Sequence, residues 1–586
     1  MYVRLIFPNA IKHVCLSFAL IAMWLLCVSV AQSQTVSADF GDRSGTTPVV
    51  PSGMFAVGGI GSTLSDRGAI NALAAAGINE TRFWIDLSQI YSKNNPTFKA
   101  LDRTLEALKS AGVHPIAVIQ GDPSNLGETS CAPPSDIWQW GQLAAGVVAH
   151  IDQKFPGLLQ EYEIWNEPEL PTSLCVADDT ERLNTYVSMF AAAASAMHAQ
   201  AKADGESIRT GGPVISRIAL APVWIPALTN NDSTAPYVDF VSFHLYVTGQ
   251  INIDLGMTWW DLYSITQSSA HGLIHDYNLI EPLVRAGQQP NAASTPIYIS
   301  EFNDNWAGSP DCCRNDPTYG SLWNTVAMTD FLNVVYNGAT TVPSRLVYFN
   351  VSGYRYFCIM GEWNSKMDCN PSVMEPYPQF YAYQLFASPD YLDLQAGGNM
   401  AVSVSSANTS ALETTAFYTS SADSVVVVNP TSTTYSRLNI MLTNPGLTSP
   451  TGTVFLLDNP HGKIASESVA LRSISGGYAA TVEVPPYSTV ALSVKGSNAG
   501  NPPTPVLTVT PPSGTHPLTV EIDSSQSNRG ESYIIGRTID FGDGTWLNWA
   551  PTTSYTYNKA GNYTIRLLLK DQFGQLVSTS TVVTVY

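Results

Sequence analysis

Between Met54 and Ser388 short apolar runs rich in β-branched and aromatic residues alternate with stretches of helical period. That alternation restricts the chain to a parallel α/β architecture, because parallel neighbours must be joined by a crossover helix. The strand runs are Phe55 to Ile60, Thr81 to Ile85, Pro115 to Ile119, Glu161 to Trp165, Ile208 to Gly211, Val238 to Leu245, Ile297 to Glu301 and Leu346 to Asn350. Helical patterns lie between them at Leu64 to Ala76, Ala100 to Ala111, Ile137 to Phe155, Thr180 to Asp204 and Leu322 to Tyr336, with Gly77 and Gly112 as helix ends. Eight strand runs suit a (β/α)8 TIM barrel, whose strand ends carry the site.

After Pro389 the texture changes to Ser, Thr and Val in alternation, as from Ser424 to Asn429 and from Ser488 to Val494, the pattern of antiparallel strands. No linker precedes this block, so it is expected to pack on the barrel as a β-sandwich. Gly496 to Pro505 has the Pro, Gly and Asn bias of an exposed tether. The expected order is a leader over 1–33, the barrel over 34–388, a β-sandwich over 389–495, a linker over 496–505 and a second, immunoglobulin-like β-sandwich over 506–586.

The leader joins Arg4 and Lys12 to an apolar run from Val14 to Val30 and small residues around Ala31 and Ser33. This is the layout of a cleavable export signal, with a retained membrane anchor as the other reading. Export predicts a secreted protein, extracellular, periplasmic or at the cell surface, and no membrane partner once the signal is removed. Without Arg4 and Lys12 the chain carries 26 basic and 47 acidic side chains, a net charge of −21. Such a surface excludes nucleic acid and anionic membranes as general partners and disfavours a polyanionic glycan, but does not repel a neutral polysaccharide.

Removing Cys15 and Cys27 leaves Cys131, Cys175, Cys312, Cys313, Cys358 and Cys369, an even six that an oxidising compartment would join as three disulfides. A zinc site would need paired CxxC spacings or a nearby His set, and neither is present. Cys131 follows the third strand run and Cys175 the fourth, so the two fall in adjacent loops and can pair. Cys312 and Cys313 follow the seventh run and Cys358 and Cys369 the eighth, which predicts two bridges between those loops.

Two runs carry the chemistry: Tyr162-Glu163-Ile164-Trp165-Asn166-Glu167-Pro168 and, 134 residues on from its Glu167, Ile297-Tyr298-Ile299-Ser300-Glu301-Phe302-Asn303. In each, a short apolar segment ends in Glu, placing the acid at the mouth of a strand. Two such carboxylates across one cleft are what glycosidic cleavage needs, one to protonate the leaving oxygen and one to meet the charge developing at the anomeric carbon. Glu163 and Glu169 read as solvated surface acids.

These residues give the barrel a resemblance to clan A glycoside hydrolases, and within them to family 39, over roughly residues 50 to 495. Trp165-Asn166-Glu167-Pro168 is similar to the acid/base run at the end of the fourth strand, and Ser300-Glu301-Phe302-Asn303 to the nucleophile run of the seventh. Arg82 after Thr81 and Phe243-His244-Leu245-Tyr246 resemble the clan's second-strand arginine and sixth-strand His-x-Tyr pattern. Tyr348 stands in the eighth strand, where clan members often place Trp near the sugar.

The resemblance implies a retaining glycosidase that needs no metal and no organic cofactor, acting on an oligosaccharide or polysaccharide. Glu167 must hold a proton near neutral pH, and repulsion from an ionised Glu301 would raise its pKa. Arg82 is the cation expected beside Glu301, a structural salt bridge being its alternative use. Asn166 would donate to the hydroxyl next to the anomeric carbon, or cap the strand-end turn. Tyr246 would orient Glu301 or fill space; His244 would serve the site or sit as a satisfied core residue. Trp84, Trp259, Trp260, Trp306, Tyr348, Tyr354 and Trp363 crowd the strand-end loops, and Trp306 is the named candidate platform for a sugar face. A clan A endo-glycanase of cellulase or mannanase type, and a non-catalytic carbohydrate-binding or adhesive protein, remain the competing readings.

The tail resembles a PKD domain, an immunoglobulin-like module, through Asp540-Phe541-Gly542-Asp543-Gly544-Thr545, Tyr555-Thr556-Tyr557 and Gly561-Asn562-Tyr563-Thr564-Ile565. Asp543-Gly544 is a hairpin turn signal, and no catalytic set is visible. Attachment to a polymer and inert spacing are both open for it.

Overall fold

The computed structural model describes residues 34–40, 49–59, 66–91, 96–123, 131–250, 258–304, 317–351, 359–360, 362–363, 369–370, 376–394, 399–402, 404–407, 411–418, 422–445, 451–458, 462–495, 503–528, 534–543, 545–548, 551–571 and 576–586. The expected leader lies outside these residues.

Eight parallel strands close into a barrel: β1 (Ala56–Gly58), β2 (Glu80–Asp86), β3 (His114–Gln120), β4 (Glu161–Ile164), β5 (Arg209–Ile215), β6 (Phe240–Tyr246), β7 (Ile297–Asn303) and β8 (Arg345–Phe349), with β8 pairing back onto β1. Around them run α1 (Arg67–Ala75), α2 (Lys99–Ala111), α3 (Ile137–Lys154), α4 (Asp179–Asp204), α5 (Ala221–Thr229), α6 (Trp259–Thr266), α7 (Leu273–Arg285), α8 (Pro317–Leu332) and α9 (Pro378–Ala387). Side chains alternate along each strand, so Val57, Phe83, Ile85, Tyr162, Ile164, Phe243, Leu245, Ile299 and Phe302 join the core beneath the helices while the residues between them fill the barrel. Gly77, at φ +82, ends α1 where a Cβ would stand 2.6 Å from the Ala387 backbone, so the αL turn and the close approach of α9 both require glycine.

Helices α5, α6, α7 and α9 are missing from the sequence expectation. Pro226 and Pro282 lie inside α5 and α7, where proline reads as a breaker, and burial of Trp224, Ile225 and Leu228, or of Tyr277, Ile280 and Val284, outweighs the lost hydrogen bond.

The expected barrel boundary at residue 34 is corrected. Thr35–Asp39 pairs parallel with Tyr435–Thr443 and antiparallel with Val404–Ala407, and Val49–Val50 pairs with Asn399–Val402. Both segments belong to the β-sandwich, whose five-stranded and seven-stranded sheets hold a core of their own. The reason is one-sided burial: Val36 and Ala38 face inward while their neighbours are only half-buried, whereas barrel strands are covered on both faces. The sandwich packs on the barrel through Phe417, Val426, Val428, Phe455 and Leu457, through Trp259 Nε1 donating to Pro430 O at 2.7 Å, and through a 2.7 Å hydrogen bond between the Thr325 and Thr489 hydroxyls.

The C-terminal module forms a three-stranded and a five-stranded sheet over a separate core that includes Val520, Ile522, Phe541, Tyr557 and Leu567. A hairpin joins Ile534–Asp540 to Trp546–Asn548, and Asp543 holds the turn by accepting from Thr545 N at 3.1 Å and the Tyr555 hydroxyl at 2.8 Å. Residues 496–502 of the expected linker lie outside the described residues. Thr504 already pairs with Asn528, so the module starts before residue 506. The module also touches the body: the Tyr418 hydroxyl meets Ile534 O at 3.4 Å, and Tyr555 lies beside the Asn291 side chain. Asn291 precedes β7, on the barrel side opposite the strand ends.

Candidate active site

Beyond β4 the chain turns sharply, with Trp165 at φ +66 and Glu167 at φ +46, a left-handed conformation that costs a non-glycine residue on the order of 1 kcal/mol. Long-range contacts hold it. Trp165 N donates to Ile119 O at 2.8 Å, its indole donates to Ser173 O at 3.0 Å, and its ring lies 6.0 Å from that of Trp140, which donates to Gly121 O. Glu167 N donates to Val214 O at 3.2 Å. The turn swings Asn166 and Glu167 over the barrel mouth.

Glu301 is aimed by a β-bulge. Phe243 pairs with Ile299 but His244 with Glu301, so Ser300 is the extra residue that brings Glu301 into phase with the inward-facing positions. The Tyr246 hydroxyl donates to Glu301 Oε2 at 2.5 Å and Arg82 Nη1 donates to Oε1 at 2.8 Å. Both oxygens of the carboxylate are thus fixed.

Arg82, fully buried, is the hub. Its Nε donates to Glu163 Oε2 at 2.6 Å, and its Nη2 donates to Asn166 Oδ1 at 2.8 Å and faces His244 Nε2 at 3.4 Å. Burial works against a charged guanidinium, but Glu163 and Glu301 outweigh it and hold the Arg82 pKa above its ordinary value. Since Arg82 only donates, His244 Nε2 is the acceptor and the imidazole proton sits on Nδ1, 2.8 Å from Glu167 Oε1 and 3.4 Å from Glu301 Oε2. Burial pushes the His244 pKa down, in keeping with a neutral ring.

Burial also raises the Glu167 pKa, with Arg82 and Ser216 opposing it in part. The direction is the one a general acid needs. The cause differs from the expected repulsion by Glu301, because the side chain lies against the barrel wall and is only 22% exposed.

Two acids read as solvated are not. Glu163 and Glu169 are both fully buried. Burial raises the Glu163 pKa, but Arg82, Ser242 and His244 together more than offset it and the net shift is downward. Glu169 Oε1 accepts from Ser216 N at 2.7 Å, Ser216 Oγ at 2.8 Å and Arg217 N at 3.1 Å, tying the loop after β5 to the turn that carries Glu167. The signal for Glu163 lay in Glu161-Tyr162-Glu163-Ile164, where acids take every second place and so face the barrel interior.

Tyr348 is corrected too. Its ring is buried 5.6 Å from Tyr383 of α9, in the layer between strands and helices, so it cannot floor the cleft. One residue on, Phe349 faces inward. Its ring lies edge-on 6.0 Å from Trp84, and Arg82 sits 5.0 Å over the Trp84 ring. These two half-buried aromatics stand beside Arg82, and Phe349, like Glu163, is a residue that sequence reasoning missed. Trp259 is buried against the sandwich, and Trp260 is 46% exposed on α6. Trp306, Tyr354 and the Trp363 side chain lie outside the described residues.

Cys131 and Cys175 form a disulfide, joining the loops after β3 and β4 beside the turn that carries Glu167. Cys312, Cys313, Cys358 and the Cys369 side chain lie outside the described residues. Among the described residues Glu167, His244 and Glu301 bring one donor atom each within 4.8 Å of one another. They could hold a metal ion by spacing, but the Arg82 charge against Glu301 disfavours a divalent cation there.

A closed parallel barrel with two glutamates at the ends of its fourth and seventh strands, braced by Arg82, His244 and Tyr246, defines a glycoside hydrolase with a carbohydrate substrate. The model of Glycosyl hydrolases family 39 matches residues 81–454, and the chain belongs to that family. The PKD domain model matches residues 501–585. Similar solved structures include a family 39 β-xylosidase from Caulobacter crescentus (15% identity, 79% of this chain and 99% of that one, TM-score 0.53). A family 39 enzyme from Xanthomonas axonopodis pv. citri matches at 15% identity over 80% and 98% of the two chains, TM-score 0.55. A bacterial orthologue of human α-L-iduronidase matches at 14% identity over 93% and 99%, TM-score 0.56. At these identities the likeness is one of fold. No curated protein sequence matches the chain.

Proposed function

We propose that the chain is a secreted, retaining glycoside hydrolase that cleaves O-glycosidic bonds of an oligosaccharide or polysaccharide by double displacement. Carboxylate spacing carries the reading: the donor oxygens of Glu167 and Glu301 lie within 4.8 Å. Retaining pairs stand roughly 5–5.5 Å apart, whereas inverting pairs stand about 6.5–9.5 Å apart to admit a water between them, so the close approach of Glu167 and Glu301 supports the retaining pair.

In the first step the Glu301 carboxylate bonds to the anomeric carbon as the glycosidic C–O bond breaks and the departing oxygen takes the Glu167 proton. A water then gives a proton to Glu167 and attacks the same carbon, releasing Glu301. Because Nδ1–H of His244 occupies Glu167 Oε1, the transferable proton belongs on Oε2. Because Arg82 occupies Asn166 Oδ1, the Asn166 amide nitrogen is left to donate to the hydroxyl beside the anomeric carbon.

The xylosidase and iduronidase names among similar folds make aryl xylosides and iduronides the first substrates to try, and the net charge of −21 favours a neutral polymer. Proton NMR of the first-formed anomer should show retained configuration; an inverted product would overturn the mechanism. Export is tested by sequencing the N-terminus of protein from the secreted fraction, which should begin near residue 34. A chain found there with residues 1–33 intact would speak for the anchor reading.

A further inference from the structure

Below the catalytic pair, inside the barrel, a carboxylate with no part in the two displacement steps shares the Arg82 guanidinium. We infer that Glu163 is a positioning residue that divides the charge of Arg82, so that Glu301 meets less than a full positive charge and the site keeps a net negative charge for the oxocarbenium-like transition state. The inference rests on the retaining reading and adds a third glutamate to it.

Distance and burial support the division. Arg82 Nε to Glu163 Oε2 is 2.6 Å, shorter than the 2.8 Å from Nη1 to Glu301 Oε1, and both Arg82 and Glu163 are sealed from solvent. Of the groups facing Glu163, namely Arg82 from β2, Ser242 and His244 from β6 and Tyr186 from α4, Arg82 alone carries a charge. With Glu167 protonated, the buried set of Glu163, Arg82 and Glu301 sums to −1. In a low-dielectric interior that sum acts on the anomeric carbon almost unscreened. Without Glu163 the whole Arg82 charge would fall on the nucleophile, making it a weaker base toward carbon and cancelling the field.

Glu163→Gln removes the charge and keeps an oxygen for Arg82 Nε. On an aryl glycoside with an activated leaving group, which departs without a proton, kcat/KM should fall about tenfold to a hundredfold. On a poor leaving group the alkaline limb of the rate profile, set by Glu167, should move to lower pH by up to about one unit, because the undivided Arg82 charge stabilises the Glu167 carboxylate. If Glu163 merely braces Arg82, a loosened Arg82 would leave that limb in place or move it to higher pH. Either result, or an unchanged rate, overturns the inference. Failure of the retaining reading would show separately, as inverted product from the wild type. Should Glu163→Gln fail to fold by circular dichroism, a carbon-13 titration of glutamate-labelled wild-type enzyme, with the Glu163→Asp variant for assignment, decides the point. Glu163 is expected to stay ionised throughout the active pH range, and protonation within it would refute the charge division.

Discussion

His244 Nδ1 stands 2.8 Å from Glu167 Oε1 and 3.4 Å from Glu301 Oε2, so one neutral imidazole spans the two glutamates. Its N–H fixes the rotamer of Glu167 and leaves Oε2 for the transferable proton. His244→Ala should therefore slow substrates whose leaving oxygen needs protonation by about a hundredfold, while activated aryl glycosides lose much less. Equal losses on both, from a plot of rate against leaving-group pKa, would reduce His244 to a packing residue.

Glu301→Ala and Glu167→Ala should each abolish hydrolysis of natural substrate. Azide should restore turnover of an activated aryl glycoside by Glu167→Ala, since this anion attacks the glycosyl-enzyme in place of water without needing a base, releasing Glu301, but cannot supply the leaving-group proton. The rescued product should be the glycosyl azide of retained configuration, identified by NMR.

The raised pKa of Glu167 makes a statement about stability. A group whose folded pKa lies above its unfolded value contributes fully below the unfolded pKa, and that contribution is lost as pH rises through the folded pKa. Glu167→Gln, neutral throughout, should match the wild-type Tm at acid pH and exceed it by about 1–2 °C at neutral pH. Differential scanning calorimetry at both pH values tests this, and an equal Tm at neutral pH would argue against the burial effect.

Deleting residues 503–586 should leave turnover of small soluble aryl glycosides within about twofold of the full chain. The module's contacts at Tyr418 and Asn291 lie away from the strand ends that carry Glu167 and Glu301. Any loss should appear on insoluble or cell-bound polymer, measured by reducing-end release.

Reduction of Cys131–Cys175 frees two loops beside the turn that carries Glu167. It should raise KM before thermal unfolding changes, because ordering the loops on sugar binding then carries an entropy cost. Non-reducing peptide mapping should also show Cys312 and Cys313 linked to Cys358 and Cys369; a Cys131 peptide joined to any of those four would contradict the structure.

The barrel and the two strand-end glutamates were legible in the linear chain because each signal sits within one element: a strand-length apolar run, a helix of period 3.6, a motif at the strand's end. Arg82, Asn166, His244 and Tyr246 came from the resemblance to the clan's motifs, not from any local pattern, and they converge on the two glutamates. What the chain alone could not decide was phase and partner. A one-residue shift along β8 separates the outward Tyr348 from the inward Phe349, and a single bulge at Ser300 aims Glu301; neither can be placed without knowing which strands pair. Thr35–Asp39 finds its partner in Tyr435–Thr443, with Thr35 opposite Asn439, beyond the reach of any local pattern. Glu163 looked like one acid among many until closure of the barrel sealed it against Arg82. Local periodicity fixes what each segment becomes, but burial, charge pairing and the distance between Glu167 and Glu301 exist only after remote strands have met.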